Sequence, residues 1–305
     1  MWILLQKMER LFRLRTKPRR KQSDGRMTMT ARKAGCWKNR NAPSLDRRGS
    51  FLLNVFILCS IIFLDGDIMN DIETLKRWIG ESSRIVAFTG AGASTESGIK
   101  DFRSVDGLYN QKFEYPPETI ISHSFFVRNP EYFYDFYRSK MLPLGFEPNV
   151  THRVLARWEQ EGRLSAVITQ NIDGLHQKAG SRNVFELHGS VLRNYCLRCG
   201  RFYPGEFIRD TSGIPRCSCG GIVKPDVVLY EEGLDQSVLE GSVRAIENAD
   251  LLLVAGTSLT VYPAAGLIQY YHGSRLVLIN RDATPYDSAA NLVLHEKLGT
   301  VFSQL

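Results

Sequence analysis

The chain has 305 residues, 43% of them apolar, and carries 39 Lys and Arg against 32 Asp and Glu for a net charge of +7. That composition is globular, too apolar for a disordered chain and without the repeated long apolar spans of a polytopic membrane protein. The positive charge is confined to one end. Residues 1–68 hold 15 Lys and Arg against 5 Asp and Glu, whereas 69–305 hold 24 against 27, so the body has no global field for phosphate backbones and nucleic acid is not expected as a partner.

In chain order, residues 7–48 are basic and aperiodic, and 51–64 (FLLNVFILCSIIFL) form an apolar run of 14. A spanning helix needs about 20 residues. The run has the length of a signal-peptide core after Arg47 and Arg48, but Asp65-Gly66-Asp67 follows where a small-x-small cleavage site belongs. The reading is a basic and apolar extension over 1–68, dispensable or non-native, with the domain starting at Met69 before a helical pattern from Asp71 to Ile79. A membrane partner is expected only if 51–64 is inserted, and Cys36 and Cys59 carry no signal.

Beyond residue 69, short apolar runs at 85–89, 166–169, 184–187, 251–255 and 276–279 end in Gly, Asn or polar residues. Runs of four or five, mostly without alternation, suit strands buried on both faces of a parallel sheet, and helical stretches lie between several of them. The expected fold class is α/β, a doubly wound, Rossmann-like parallel sheet built from 69–104, 149–191 and 224–305. Residues 105–148, helical and aromatic (Phe125, Phe126, Tyr132, Phe133, Tyr134, Phe136, Tyr137), and 192–223, with four cysteines, form a smaller zinc-ribbon plus helical domain. The aromatic stretch reads as core rather than partner surface.

The first run feeds Gly90-Ala91-Gly92-Ala93-Ser94-Thr95, with Gly98 following. A strand entering a glycine-rich turn brings backbone amides and a helix N-terminus close to a phosphate, so nucleotide binding is the natural reading. Thr95 stands where a third glycine would be and no second strand ends in a ribose-binding acid, so a purely structural turn fits as well. The polar continuation from Ser97 to Ser104, holding Phe102 and Arg103, is unlike ordinary dehydrogenases.

After 166–169, Gln170-Asn171-Ile172-Asp173-Gly174-Leu175-His176 places amides and a carboxylate past a strand end, where ligands of open α/β sheets bind. His188-Gly189-Ser190 arrives at the same edge. A His followed by Gly has an accessible ring, and its ordinary pKa suits a general base; a core or metal-binding histidine remains open. No G-x-S-x-G motif supports acyl-enzyme hydrolysis. Cys196-x-x-Cys199 and Cys217-x-Cys219 form a four-thiolate signature for a structural zinc with no open position. Disulfides compete with that reading in a body that otherwise looks cytoplasmic.

These residues resemble the sirtuins, NAD-dependent protein lysine deacylases, across essentially all of 69–305. The resemblance rests on GAGASTESGIKDFR (90–103), TQNID (169–173), LHGS (187–190), the cysteine pairs, KPDVVLYEE (224–232), GTSL (256–259) and LIN (278–280). One departure is Lys100, where sirtuins usually have proline. The resemblance implies NAD contacts from Gly90, Ala91, Gly92, Thr95, Phe102, Arg103, Gln170, Gly256, Thr257, Ser258 and Asn280. Ile172 and Asp173 would line the nicotinamide pocket, with Asn171 and Asp173 beside His188, the base. Val227, Val228, Leu229, Tyr230 and Val261 would flank an acetylated lysine peptide that adds as a strand. Free lysine, nicotinamide and O-acetyl-ADP-ribose are the implied products. ADP-ribosyl transfer on the same fold, or a weakly active NAD-sensing module, stays open. Family members preferring succinyl or malonyl lysine carry Tyr-x-x-Arg on a small-domain helix; counting from Tyr134 reaches Tyr137 and from Tyr137 reaches Lys140, so acetyl-lysine is the expected substrate.

Overall fold

The computed structural model describes residues 70–102 and 107–305. The extension over 1–68, the start at Met69, Cys36, Cys59 and the expected NAD contact Arg103 lie outside the described residues. A helix over 70–81 buries Ile72, Leu75 and Ile79, spaced along one face as its sequence predicts.

The strands are β1 (Ile85–Thr89), β2 (Leu164–Thr169), β3 (Val184–Glu186), β4 (Gly189–Cys196), β5 (Phe202–Pro204), β6 (Val223–Val227), β7 (Leu251–Ala255), β8 (Leu276–Ile279) and β9 (Leu292–Leu294). Six of them form a parallel sheet in the order β3-β2-β1-β7-β8-β9. Every residue of β1, β7 and β8 is buried, which explains the unbroken apolar runs. Side chains alternate between two cores. Ile85, Ala87, Leu251, Leu253, Val277 and Ile279 meet the helices over 70–81, Val150–Gln160 and Leu298–Phe302. Val86, Phe88, Leu252, Val254, Leu276 and Leu278 meet Ile246 of the helix Gln236–Glu247 and the 3-10 segment Ala264–Tyr270. Burial of each such side chain stabilises by about 1.5–3 kcal/mol before chain entropy is counted. The sheet is the doubly wound one expected, with β9 as a sixth strand that the sequence reading did not include.

The order reverses between β1 and β7, and in a parallel sheet the strands deliver their C-terminal loops to one edge. That edge carries Gly90, Gln170, His188, Gly256 and Asn280. The crevice at the reversal is the place such folds leave for a ligand.

A second, antiparallel sheet has β4 at its centre, between β5 and β6. It packs on the aromatic helices His123–Arg128 and Pro130–Phe136 and the wider turn Tyr137–Met141. Phe133, Tyr134 and Tyr137 are fully buried, and the Tyr134 hydroxyl donates to the Val223 carbonyl at 2.6 Å, so this stretch is core. Arg193 of β4 joins the two sheets, pairing with Glu186 of β3 at 2.6 Å and Asp226 of β6 at 2.8 Å. Among the described residues, no helix is long and apolar enough to cross a membrane.

Candidate active site

The turn after β1 is tighter than the helix its sequence suggests. Ala91–Ser97 is a 3-10 segment, closed by Gly98 at φ 92°. The Gly90 N–H donates to Ala255 O at 3.2 Å and the Gly92 N–H to Gly256 O at 2.8 Å, which presses the β1 and β7 loops together backbone to backbone. A Cβ on Gly92 would lie 2.7 Å from Gly256 Cα, so no side chain fits. Beside this glycine floor, Gln170 Nε2 donates to Thr257 Oγ1 at 2.9 Å, spanning β2 and β7. Ala91 is half-buried, while Thr95, whose hydroxyl donates to Gly92 O at 3.0 Å, and Lys100 are exposed. Ser258 shares a hydroxyl hydrogen bond of 2.9 Å with Thr260. Asn280 ends β8, with its amide donating to Asp282 O at 2.6 Å.

Ser94, buried at the centre, joins the polar groups from different strands. Its hydroxyl donates to Asp173 Oδ2 at 2.7 Å and accepts from Asn171 Nδ2 at 3.0 Å. The other Asp173 oxygen accepts the Leu175 N–H at 2.9 Å. Burial raises the Asp173 carboxyl above its ordinary pKa, opposed by those two donors. Below Ser94 lie two imidazoles in contact, His152 and His176, with centroids 4.7 Å apart and planes tilted by 59°. His152 Nε2 is 3.5 Å from the Ser94 hydroxyl, and its Nδ1 accepts from the Asn149 N–H at 3.3 Å. Because Thr89 gives its hydroxyl proton to Thr169, it accepts from His176 Nε2 at 3.0 Å. Burial, then Arg153, pushes His152 down to about 4; burial, then His152, pushes His176 well below its ordinary value. Both rings are therefore neutral at pH 7. The sequence reading did not assign Ser94, Asn149, His152 or His176 to the site; the pair Asn149 and His152 at a helix start was the available signal.

His188 occupies the seam between β3 and β4. Its Nδ1 is 2.9 Å from the Gln170 carbonyl, which can only accept, so Nδ1 carries the proton and Nε2 keeps its lone pair. Burial lowers its pKa and this hydrogen bond partly restores it. Gly189 follows at φ 74°, and a Cβ there would sit 1.9 Å from Asp226 O. The glycine is thus dictated by the β6 backbone, beyond any question of access to the ring. The His188 carbonyl accepts the Val228 N–H at 3.0 Å, which ties His188 to the segment after β6. Val227 and Leu229 are buried, Val228 half-buried and Tyr230 exposed. Tyr230 bridges to Ser122. Val261 stands apart, half-buried, its carbonyl accepting from Ala265 at 2.8 Å. Ile172 and Phe102 pack on the aromatic core, and Ile172 O accepts the Val191 N–H at 2.9 Å.

The thiols of Cys196, Cys199, Cys217 and Cys219 all lie within 4.8 Å of one another. The separations of 3.4 Å (Cys196 to Cys219), 3.6 Å (Cys199 to Cys217) and 3.5 Å (Cys219 to Cys199) are too long for disulfides. They are close to the roughly 3.8 Å edge of a tetrahedron with zinc–sulfur bonds of about 2.3 Å. The shortened Cys217-x-Cys219 spacing closes through a Gly220 N–H to Cys217 O bond of 2.8 Å. The donor set fits a structural zinc.

Residues 90–263 match the model of the Sir2 family. A Clostridium acetobutylicum protein named NAD-dependent protein deacetylase is 56% identical over 238 residues, covering 77% of this chain and 97% of the relative. A Staphylococcus aureus protein of the same name is 45% identical over 239 residues, covering 77% and 98%. Among solved structures, a Sir2 with a deacetylated p53 peptide and 3'-O-acetyl ADP ribose superposes with a TM-score of 0.72 at 38% identity, over 76% of this chain and 96% of that one. A Sir2 with a p53 peptide and NAD+ gives 0.69 at 38% identity, over the same shares. The match spans more than half of the chain and nearly the whole of each relative, and by that measure the chain belongs to the Sir2 family.

Proposed function

We propose that the chain is an NAD-dependent protein lysine deacetylase that works in the cytoplasm, where reducing conditions keep the four thiols available to zinc. The observation that carries the catalytic assignment is the His188 tautomer, fixed by the Gln170 carbonyl. When bound, NAD supplies a glycosidic bond whose cleavage releases nicotinamide and gives the acetyl oxygen a ribose carbon to attack. Gly90, Ala91, Gly92, Thr95, Phe102, Gly256, Thr257, Ser258 and Asn280 would hold it, the glycine floor letting it approach the backbone without side-chain obstruction. Arg103 is proposed on sequence alone. Gln170, pinned to Thr257, shapes the crevice wall. Ile172, Asn171 and Asp173 face the nicotinamide end, the last two fixed by Ser94. His188 Nε2 accepts a ribose hydroxyl proton, and its depressed pKa keeps that nitrogen unprotonated at neutral pH. The acetylated lysine peptide lies along Val227, Val228, Leu229 and Tyr230, with Val261 opposite, and the bond between Val228 and His188 sets its distance from the base.

Incubating the protein with NAD and an acetyl-lysine peptide and weighing the products tests this. A peptide lighter by one acetyl group, with nicotinamide and O-acetyl-ADP-ribose, is the expected result. A peptide or protein heavier by ADP-ribose would assign the transferase reaction instead, and unchanged masses would leave an NAD-binding module.

A further inference from the structure

The hydroxyls of Tyr109 and Tyr230 lie 3.0 Å apart, one donating to the other. They belong to different parts of the site. Tyr109 sits in the 3-10 turn Leu108–Asn110, its N–H bonded to Phe102 O at 2.9 Å and its ring edge-on to the Phe102 ring at 5.5 Å. The Leu108 N–H bonds to Asp101 O at 3.0 Å, so Asp101 and Phe102 are held in register with the turn. Tyr230 is fixed from the other side. Its N–H donates to Ile121 O at 3.1 Å, its carbonyl accepts from His123 at 2.9 Å, and two residues earlier Val228 bonds to His188 O. Glu231 and Glu232 anchor the same segment, Glu231 accepting from Ser124 N at 2.8 Å and Glu232 lying 2.9 Å from His123 Nδ1. Tyr230 is thus a rigid post, 38% exposed, and Tyr109 is what it touches on the cofactor side.

We infer that the Tyr109–Tyr230 hydroxyl pair is a positioning latch: a peptide seated along the Tyr230 segment orders Tyr109, and through it Phe102, so that peptide occupancy tightens the cofactor site. This rests on the peptide and cofactor placements proposed above. The chemistry is a single neutral hydrogen bond whose strength rises as a peptide excludes water from it. A bond of that kind changes an equilibrium by roughly 2- to 10-fold.

The test uses the full chain with Tyr109→Phe, Tyr230→Phe and the double variant, and ADP-ribose as a non-reacting probe. In the wild type, a saturating acetyl-lysine peptide tightens ADP-ribose binding and slows amide exchange at Leu108 and Tyr109. Each single variant is expected to lose roughly 2- to 10-fold of that tightening. The affinity of Tyr109→Phe for ADP-ribose without peptide should stay within about twofold, and the double variant should lose no more than the singles. Full tightening in either single variant, or losses that multiply in the double, would overturn the latch. Deacetylation by the wild type, weighed in parallel, separates the outcomes. Turnover with intact coupling in the variants overturns the latch alone, whereas no turnover overturns the functional reading and the latch with it.

Discussion

The parallel sheet and the four-cysteine unit beside it are held by different means. β1, β7 and β8 are buried on both sides by helices, and Val86 and Ala87 can face opposite layers because each layer is apolar. The smaller unit has a three-stranded sheet with Tyr195 and Phe202 exposed on it, an aromatic core on one side and four thiols at one end. The sheet specifies its shape through burial alone. The small unit gathers four thiols that fit a structural zinc, and His188 lies on the seam between the two.

Removing zinc should break this comparison most severely. Structural zinc sites contribute about 10–16 kcal/mol in small peptides, comparable with or larger than the 5–15 kcal/mol stability of a whole domain. Chelation, or Cys219→Ala, should abolish the near-ultraviolet signal of the aromatic core and lower soluble yield, while far-ultraviolet signal from the parallel sheet survives. A Cys219→Ala protein with a full equivalent of zinc and unchanged melting would require a different ligand set.

The buried imidazole layer sharpens the contrast from the sheet side. His152→Ala should destabilise by about 1–3 kcal/mol, because Asn149 and Ser94 lose a partner in a dry site, and should lower kcat through a loosened Asp173. An unchanged urea midpoint would show that Ser94 is seated without it.

The same residue predicts a pH effect. Free imidazole titrates near 6.5 in the unfolded chain and His152 near 4 in the fold, so between those values the unfolded state binds more protons and stability falls as pH falls. His176 adds in the same direction. Asp173, raised by burial, works the other way near the acidic end of that window. Unfolding free energy should drop on the order of 2 kcal/mol from pH 7 to 5, and the drop should shrink in His152→Ala. Equal slopes in both proteins would remove His152 from the account.

The smallest effect concerns the acyl group. Tyr137 is fully buried, and Arg138, the cation beside it, donates to the Ile208 carbonyl at 2.9 Å and to the Gly213 carbonyl. Lys140 lies over the Phe113 ring. With these cations engaged elsewhere, acetyl-lysine should be processed with kcat/KM at least about tenfold above succinyl-lysine on the same peptide. A succinyl preference would show that Lys140 or Arg138 leaves its partners.

How much of this was legible follows from sequence distance and segment length. β1, β2, β7 and β8 announce themselves as apolar runs because both faces are covered. β9 has only three residues and no contrast with its surroundings. The cysteine signature is local, and its four thiols converge as read. The Ser94 hub was not legible, because its partners lie 58, 77 and 79 residues away and nothing near Ser94 distinguishes it from a turn serine. His188 could be singled out by position, but its tautomer depends on a carbonyl 18 residues earlier. Glycine at 189 has a cause, the β6 backbone, that only pairing reveals.

The central claim is that His188 does chemistry while the two regions around it hold shape. Turnover, zinc content and melting temperature measured together on His188→Ala test it most directly. The account predicts a loss of turnover on the order of 100-fold to 10,000-fold with a full equivalent of zinc and an essentially unchanged melting temperature. Near-normal deacetylation by a folded, zinc-loaded His188→Ala protein would contradict it.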